Sequence, residues 1–125
     1  MKILLVEDNL LNQKVVIFNL KKFKYDITPV ENGKDAIESF KNNIYDIILM
    51  DIMLPDSNGL EITAEIRKIE IKNKIINPVP IIAITANTLD NEHKRCVEAG
   101  MNDYLSKPFT AEQLIEKINK FIQPE

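Results

Sequence analysis

The chain has 125 residues, of which 45% are hydrophobic and 28% charged, a composition typical of one globular domain spanning residues 1–125. The formal net charge of -3 argues against direct nucleic-acid binding, and one cysteine with one histidine excludes the usual Cys/His zinc sites. No apolar run approaches the roughly 20 residues of a membrane helix, and acidic residues follow the first apolar run too closely for a signal peptide. We therefore expect a cytoplasmic protein without a membrane-inserted segment.

Five short apolar runs predict β-strands. Three of the runs are continuous rather than alternating, which is typical of strands that are covered on both faces of a sheet. The predicted strands are residues 3–6, 27–30, 47–50 and 81–84, with a weaker fifth at 103–105.

Between these runs the apolar period changes to that of a helix, and we predict helices at 11–23, 33–42, 59–71, 89–99 and 111–122. In the first, the apolar positions are Leu11, Val15, Phe18 and Leu20. Helix starts are indicated by Asn32 as an N-cap and by two capping boxes, and Gly100 is expected to end the fourth helix. The capping boxes pair Asn58 with Glu61 and Thr110 with Gln113.

The predicted fourth helix is poor in apolar residues, since only Leu89, Cys96 and Val97 are sizeable. So little apolar surface predicts a weakly anchored helix, or else an ordinary exposed one. The order of elements is strand then helix, repeated five times. Such an order predicts an α/β fold with a five-stranded parallel sheet and helices on both faces.

Chemistry-bearing side chains follow the predicted strands at their carboxyl ends. Glu7 and Asp8 follow the first strand, Asp51 the third, Thr85 the fourth and Lys107 the fifth. Parallel strands bring all of these ends to one edge of the sheet, where α/β proteins bind ligands. Three carboxylates at one point repel one another, and a hard divalent cation such as Mg²⁺ is the simplest remedy.

Such a cluster suits phosphoryl transfer. A cation and Lys107 would neutralise phosphoryl oxygens, Thr85 would donate a hydrogen bond, and Asp51 would be the nucleophile that forms an acyl phosphate. Each residue alone has an ordinary structural explanation, such as a helix cap or a strand that leaves the sheet into solvent. The five together, each at a strand end, favour a shared site.

The sequence resembles the receiver domains of two-component response regulators over residues 3–122. The segments that carry the resemblance are LVEDN at 5–9, LMDIMLP at 49–55 with NG at 58–59, ITA at 84–86 and LSKPF at 105–109. The resemblance implies a flavodoxin-like doubly wound sheet with strand order 2-1-3-4-5. It also implies a signalling phosphoacceptor rather than a multiple-turnover enzyme.

The resemblance assigns roles to individual residues. It implies Asp51 as the phosphoacceptor and Glu7, Asp8 and Asp51, with the backbone carbonyl of Met53, as ligands of Mg²⁺ or of Mn²⁺ in its place. Thr85 and Lys107 would contact the phosphoryl group, and the Lys107–Pro108 peptide bond would be cis. Thr85 and Tyr104 would be the switch residues of a signalling face made of the fourth helix, fifth strand and fifth helix.

Two departures from the family pattern affect the expected chemistry. Glu7 replaces the commoner aspartate, and its longer arm should still reach a metal. Met53 and Asn87 stand two residues after Asp51 and Thr85, at positions that tune dephosphorylation in the family. Since an apolar Met53 cannot orient an attacking water by hydrogen bonding, we expect slow loss of the phosphoryl group.

Two longer segments narrow the resemblance to receivers of hybrid histidine kinases and phosphorelays: VEDNLLNQ at 6–13 and AGMNDYLSKPF at 99–109. The implied partners are a histidine kinase or a histidine phosphotransfer domain. The alternatives are a stand-alone single-domain regulator and a degenerate receiver that acts only as an interaction module. We expect a monomer, with a phosphorylation-dependent dimer as the alternative.

Two other classes share parts of the pattern. A flavodoxin-like electron carrier would need a phosphate loop rich in glycine and hydroxyls where this chain has Glu7 and Asp8. A phosphatase with an aspartate nucleophile would carry a second carboxylate as general acid at the position of Met53. Neither residue set is present.

Overall fold

In this computed structural model, which describes residues 1–86 and 90–121, strands and helices alternate along the chain. The strands are β1 (Lys2–Val6), β2 (Asp26–Val30), β3 (Ile47–Asp51), β4 (Ile81–Thr85) and β5 (Asp103–Ser106). The helices are α1 (Leu10–Leu20), α2 (Gly33–Asn42), α3 (Gly59–Lys72), α4 (Asp90–Ala99) and α5 (Ala111–Phe121), and a 3₁₀ turn, Lys21–Phe23, follows α1. None of the helices in these two ranges is long and apolar enough to span a membrane.

The strands form one parallel sheet in the order β2-β1-β3-β4-β5, which confirms the predicted fold class. The register aligns the carboxyl ends of the central strands. Val6 is paired with Met50, Asp51 with Ile84, and Thr85 with Ser106. The residues that follow β1, β3, β4 and β5 therefore emerge at one edge of the sheet.

Alternate strand residues point into two separate hydrophobic cores. Leu4, Val6, Ile48 and Met50 face a core completed by α2, α3 and Cys96 of α4. Ile3, Leu5, Ile47 and Leu49 face a second core completed by residues of α1 and α5. Since β1 and β3 are buried on both faces, their continuous apolar runs are explained.

The predicted caps are present. Asn32 accepts a hydrogen bond from the Asp35 N–H at 2.8 Å, and Asn58 from the Glu61 N–H at 2.9 Å. Thr110 and Gln113 cap one another reciprocally: the Gln113 N–H donates to Thr110 Oγ1 and the Thr110 N–H to Gln113 Oε1. Gly100 has a φ of 105°, a left-handed conformation that suits glycine and ends α4 as expected.

The apolar positions that indicated α1 do not all face the core. Leu11, Val15 and Phe18 are 70%, 49% and 78% exposed, and of the four predicted apolar positions only Leu20 is buried. The helix begins after the N-cap Asn9, and its buried residues are Gln13, Val16 and Leu20. The polar Gln13 side chain is tolerated there because its amide donates to the Glu7 carbonyl oxygen at 2.6 Å.

Helix ends differ from the predictions by a few residues. α1 ends at Leu20 rather than at 23, because the chain tightens into a 3₁₀ turn before Lys24, whose φ is 59°. α3 continues to Lys72. Residues 89 and 122, at the predicted start of the fourth helix and the predicted end of the fifth, lie outside the described residues.

The carboxyl end of α4 is held by a buried polar network. The Arg67 guanidinium on α3 donates to the Gly100 carbonyl from Nε at 2.9 Å and from Nη2 at 2.8 Å. It also donates to the buried Glu70 carboxylate at 2.7 Å. In α4 itself Cys96 is buried and Val97 is 57% exposed, as its sparse apolar residues predicted.

Candidate functional site

The carboxyl edge of the sheet brings three carboxylates together. Asp51 is the last residue of β3, and Glu7 and Asp8 directly follow β1. One carboxylate oxygen from each of these residues lies within 4.8 Å of the others. Glu7 and Asp51 are buried, whereas Asp8 is exposed at the rim.

Both oxygens of Asp51 are fixed by hydrogen bonds. Lys107 Nζ lies 3.1 Å from Asp51 Oδ2, and the Met53 backbone N–H donates to Oδ1 at 3.1 Å. The loop after Asp51 is closed by the Gly59 N–H, which donates to the Ile52 carbonyl at 2.7 Å. Asp51 therefore presents its carboxylate in one orientation at the centre of the cluster.

Glu7 is held from two sides. Lys107 Nζ lies 3.5 Å from its Oε2, and the Asn12 side-chain amide donates to its Oε1 at 2.7 Å. Burial, together with the neighbouring Asp51 carboxyl, raises the pKa of Glu7 to about 7, although Asn12 and Lys107 lower it. In the metal-free site this carboxyl therefore binds a proton more readily than a glutamate in water does.

Lys107 is the cation that faces both buried carboxylates. Its own N–H donates to the Thr85 carbonyl at 2.8 Å, which fixes the start of the loop, and the following Lys107–Pro108 peptide bond is cis, as expected. Burial lowers the pKa of Lys107, but the Asp51 and Glu7 carboxylates raise it by more, so that the net pKa lies above its ordinary value. The ammonium is therefore charged at any physiological pH.

The cluster opens into a cleft of about 700 Å³ at the carboxyl edge. Thr85 and Met53 line the cleft; Thr85 is buried and Met53 is 78% exposed. Tyr104 lies apart on β5, half-buried against the core of α2 and α3, with Lys117 Nζ 5.6 Å from its ring centroid. Asn87 lies outside the described residues.

Asn12 and Arg95 also line the cleft, and neither was given a role in the sequence analysis. Asn12 lies in the first turn of α1, which begins four residues after the last residue of β1. A polar side chain so few residues after a strand-end carboxylate could have indicated from the sequence that Asn12 lines the cleft. Arg95 offers no such signal, because its position depends on how α4 packs.

The donor set fits a hard divalent cation. The cluster offers carboxylate oxygens, a ligand type that Mg²⁺ prefers. Among the described residues, this group of three is close enough together to hold a metal ion, and it contains no imidazole or thiolate. Because Asp8 is exposed, the open side of the cluster admits water or an anionic ligand.

Comparison with known proteins agrees with this arrangement. The family model of the response regulator receiver domain matches residues 3–119. The chain belongs to this family. Receivers of hybrid kinases are among its relatives: "Hybrid signal transduction histidine kinase B" of Dictyostelium discoideum is 41% identical over 129 residues, which cover 97% of this chain and 7% of that protein. This receiver thus spans a small part of the curated relatives it matches.

Two solved structures show the same fold at high similarity. The receiver of a sensor histidine kinase from Pseudomonas aeruginosa, with a magnesium ion coordinated in its active-site cleft, has 43% identity and a TM-score of 0.84 over 96% of this chain and 95% of its own. The receiver of a Saccharomyces cerevisiae response regulator, co-crystallised with a histidine phosphotransfer protein, has 32% identity and a TM-score of 0.92 over 97% of this chain and 88% of its own.

The raised pKa of Glu7 predicts a pH-dependent stability of the metal-free receiver. The pKa is about 7 in the folded state and near 4.5 in the unfolded chain, so the folded state binds more protons between these values. Stability should therefore fall as the pH rises through this window. Glu7→Gln stays neutral and keeps an oxygen for Asn12. It should be more stable than the wild type at about pH 8, by on the order of 1 kcal/mol, with the gap closing toward about pH 5.

Urea unfolding with a chelator present measures this gap. Glu65→Gln, which replaces an exposed carboxylate on α3, is the matched control and should show no such trend. If Glu7→Gln changed the free energy of unfolding by the same amount at both pH values, the raised pKa of Glu7 would be contradicted.

Proposed function

We propose that this receiver is the phosphoacceptor of a two-component or phosphorelay system and that Asp51 takes the phosphoryl group. The observation that carries the proposal is the fixed Asp51 carboxylate, held by Lys107 and the Met53 N–H between two further carboxylates. The relatives support a receiver of a hybrid histidine kinase, and the proposal places this receiver in the cytoplasm. The phosphodonor would be the phosphohistidine of a kinase or of a histidine phosphotransfer domain.

The transfer forms one bond and breaks one. An Asp51 oxygen attacks phosphorus, and the new oxygen–phosphorus bond forms as the phosphorus–nitrogen bond of the phosphohistidine breaks. The electron pair of that bond returns to the imidazole nitrogen, which takes a proton from water. Lys107, 3.1 Å from Asp51 Oδ2, then faces the phosphoryl oxygens rather than a free carboxylate.

Further residues at the carboxyl edge and on β5 complete the chemistry in this proposal. Glu7, Asp8 and Asp51, with the Met53 carbonyl, would hold Mg²⁺, or Mn²⁺ in its place, which would neutralise phosphoryl charge. Thr85, buried at the end of β4, would donate its hydroxyl to a phosphoryl oxygen. Its movement would be relayed to Tyr104 on β5, and so to the face of α4, β5 and α5.

The acceptor is consumed once in each transfer, so the receiver assists its own phosphorylation without turning over a separate substrate. Hydrolysis of the acyl phosphate resets it. Since the position two residues after Asp51 carries Met53 and no second carboxylate, the cleft lacks at that point the general acid of a multiple-turnover phosphatase.

The exposed apolar side chains of α1 support a protein phosphodonor. Leu11 and Phe18 are 70% and 78% exposed. An adjoining groove of about 350 Å³ is lined by Val15 and Phe109 and reaches Lys107 at the edge of the cleft. A phosphohistidine helix that packs on this surface would place its imidazole at Asp51.

Incubation with phosphoramidate, whose phosphorus–nitrogen bond resembles that of phosphohistidine, tests the proposed acceptor by intact mass. With Mg²⁺ the wild type should gain one phosphoryl group, and the gain should vanish with a chelator or in Asp51→Asn. Asp56→Asn, which changes an exposed carboxylate of the following loop, should behave as the wild type. An adduct on Asp51→Asn would refute Asp51 as acceptor, and no adduct on any variant would favour the degenerate interaction module.

Because the residue two positions after Asp51 is the apolar Met53, we expect a long-lived acyl phosphate. Its exposed thioether lines the cleft but cannot orient a water by a strong hydrogen bond. Met53→Asn supplies such a group and should shorten the phosphoryl lifetime by about tenfold. Met53→Leu, which stays apolar, should leave the decay rate of the adduct unchanged. An equal decay rate in all three proteins would contradict this role.

The double variant Leu11→Ala/Phe18→Ala tests the docking surface of α1. Transfer from the phosphorylated yeast histidine phosphotransfer protein should slow by about tenfold, because two apolar contacts are lost. Phosphorylation by phosphoramidate should be unchanged. The matched control is Ile71→Ala/Ile76→Ala, which removes exposed apolar side chains from α3 and the loop after it. Equal slowing of both double variants would contradict the assignment of the surface.

A further inference from the structure

Asn12 makes a contact to the metal cluster that the phosphoryl-transfer chemistry does not use. Its side-chain Nδ2 donates to Glu7 Oε1 at 2.7 Å. Asn12 is itself fixed, because its backbone N–H donates to the Asn9 cap at 3.0 Å in the first turn of α1. The amide therefore reaches Glu7 from a rigid element.

The main chain of Glu7 is held as well. Gln13, the next residue on α1, donates from Nε2 to the Glu7 carbonyl at 2.6 Å, and the Glu7 N–H donates to the Val30 carbonyl at 3.0 Å. With Oε1 held by Asn12, Oε2 is the oxygen that faces Lys107, at 3.5 Å. The first turn of α1 thus fixes both the backbone and the rotation of this carboxylate.

The hydrogen bond that fixes Glu7 Oε1 affects which divalent cation the cluster binds. Mg²⁺ requires six ligands in near-ideal octahedral geometry and accepts single carboxylate oxygens, whereas Ca²⁺ takes six to eight ligands and often both oxygens of one carboxylate. A glutamate has one more rotatable bond than an aspartate, and is freer to turn both oxygens toward a cation. The hydrogen bond from Asn12 removes that freedom.

We propose that Asn12 is a positioning residue that makes the cluster selective for Mg²⁺ over Ca²⁺, because its hydrogen bond to Glu7 Oε1 leaves this carboxylate one oxygen to offer to a cation. The inference rests on the metal site of the proposed function, but not on phosphoryl transfer. Asn12→Ala should weaken Mg²⁺ binding severalfold and leave Ca²⁺ binding unchanged or tighter. The ratio of the two affinities should fall by about tenfold.

Calorimetric titration of the full chain with MgCl₂ or CaCl₂ alone measures that ratio at one fixed pH. Four proteins form a double-mutant cycle: wild type, Asn12→Ala, Glu7→Asp and the double variant. Because the shorter aspartate side chain of Glu7→Asp would no longer meet the Asn12 amide, Asn12→Ala should have little further effect on the ratio in that background. Asn19→Ala, at the far end of α1, is the matched control, and all melting temperatures are compared.

The outcomes separate this inference from the proposed function. If the wild type binds Mg²⁺ and Asn12→Ala keeps the same ratio, or loses both cations equally, the selectivity role is wrong and the metal site stands. If Asn12→Ala has the same effect in the Glu7→Asp background, Asn12 does not act through Glu7 and the inference is also wrong. If the wild type binds no Mg²⁺, both the inference and the proposed metal site are overturned.

Discussion

The structure depends on the balance of charge at the carboxyl edge of the sheet. Three carboxylates have oxygens within 4.8 Å of one another, and the Lys107 ammonium faces the two that are buried. Burial, together with the neighbouring Asp51 carboxyl, raises the pKa of Glu7 in the metal-free protein. The cluster therefore costs stability and creates affinity for a divalent cation and for the phosphoryl group that would follow it.

The fold tolerates this cost because the rest of the sheet is apolar. β1, β3 and β4 are almost completely buried and pack against both layers of helices, so strand register is fixed up to the last residue. The polar groups then emerge where the strands end, and helix starts supply amides that hold them. Asn12 in the first turn of α1 donates its backbone N–H to the Asn9 cap and its side-chain amide to Glu7. The start of this helix therefore also positions a carboxylate of the site.

The sheet and the cluster were predictable because strand-end positions follow from sequence once the strands are parallel. Glu7, Asp8, Asp51, Thr85 and Lys107 meet at one edge as expected, while their roles in the chemistry stay predictions. The rotation of α1 was not predictable from apolar spacing, since a hydrogen-bonded Gln13 takes an inward position and Phe18 stays exposed. The contact of Asn12 with Glu7 depends on that rotation, and the position of Arg95 depends on tertiary packing.

The most direct test of the account is to locate the phosphoryl group on the wild-type receiver. After reaction with phosphoramidate and Mg²⁺, borohydride reduction converts an aspartyl phosphate to homoserine, which peptide mass spectrometry places in the sequence. The account predicts homoserine at position 51 and at no other aspartate. Reduction at Asp8, or an unmodified Asp51 in a protein that has gained a phosphoryl group, would contradict it.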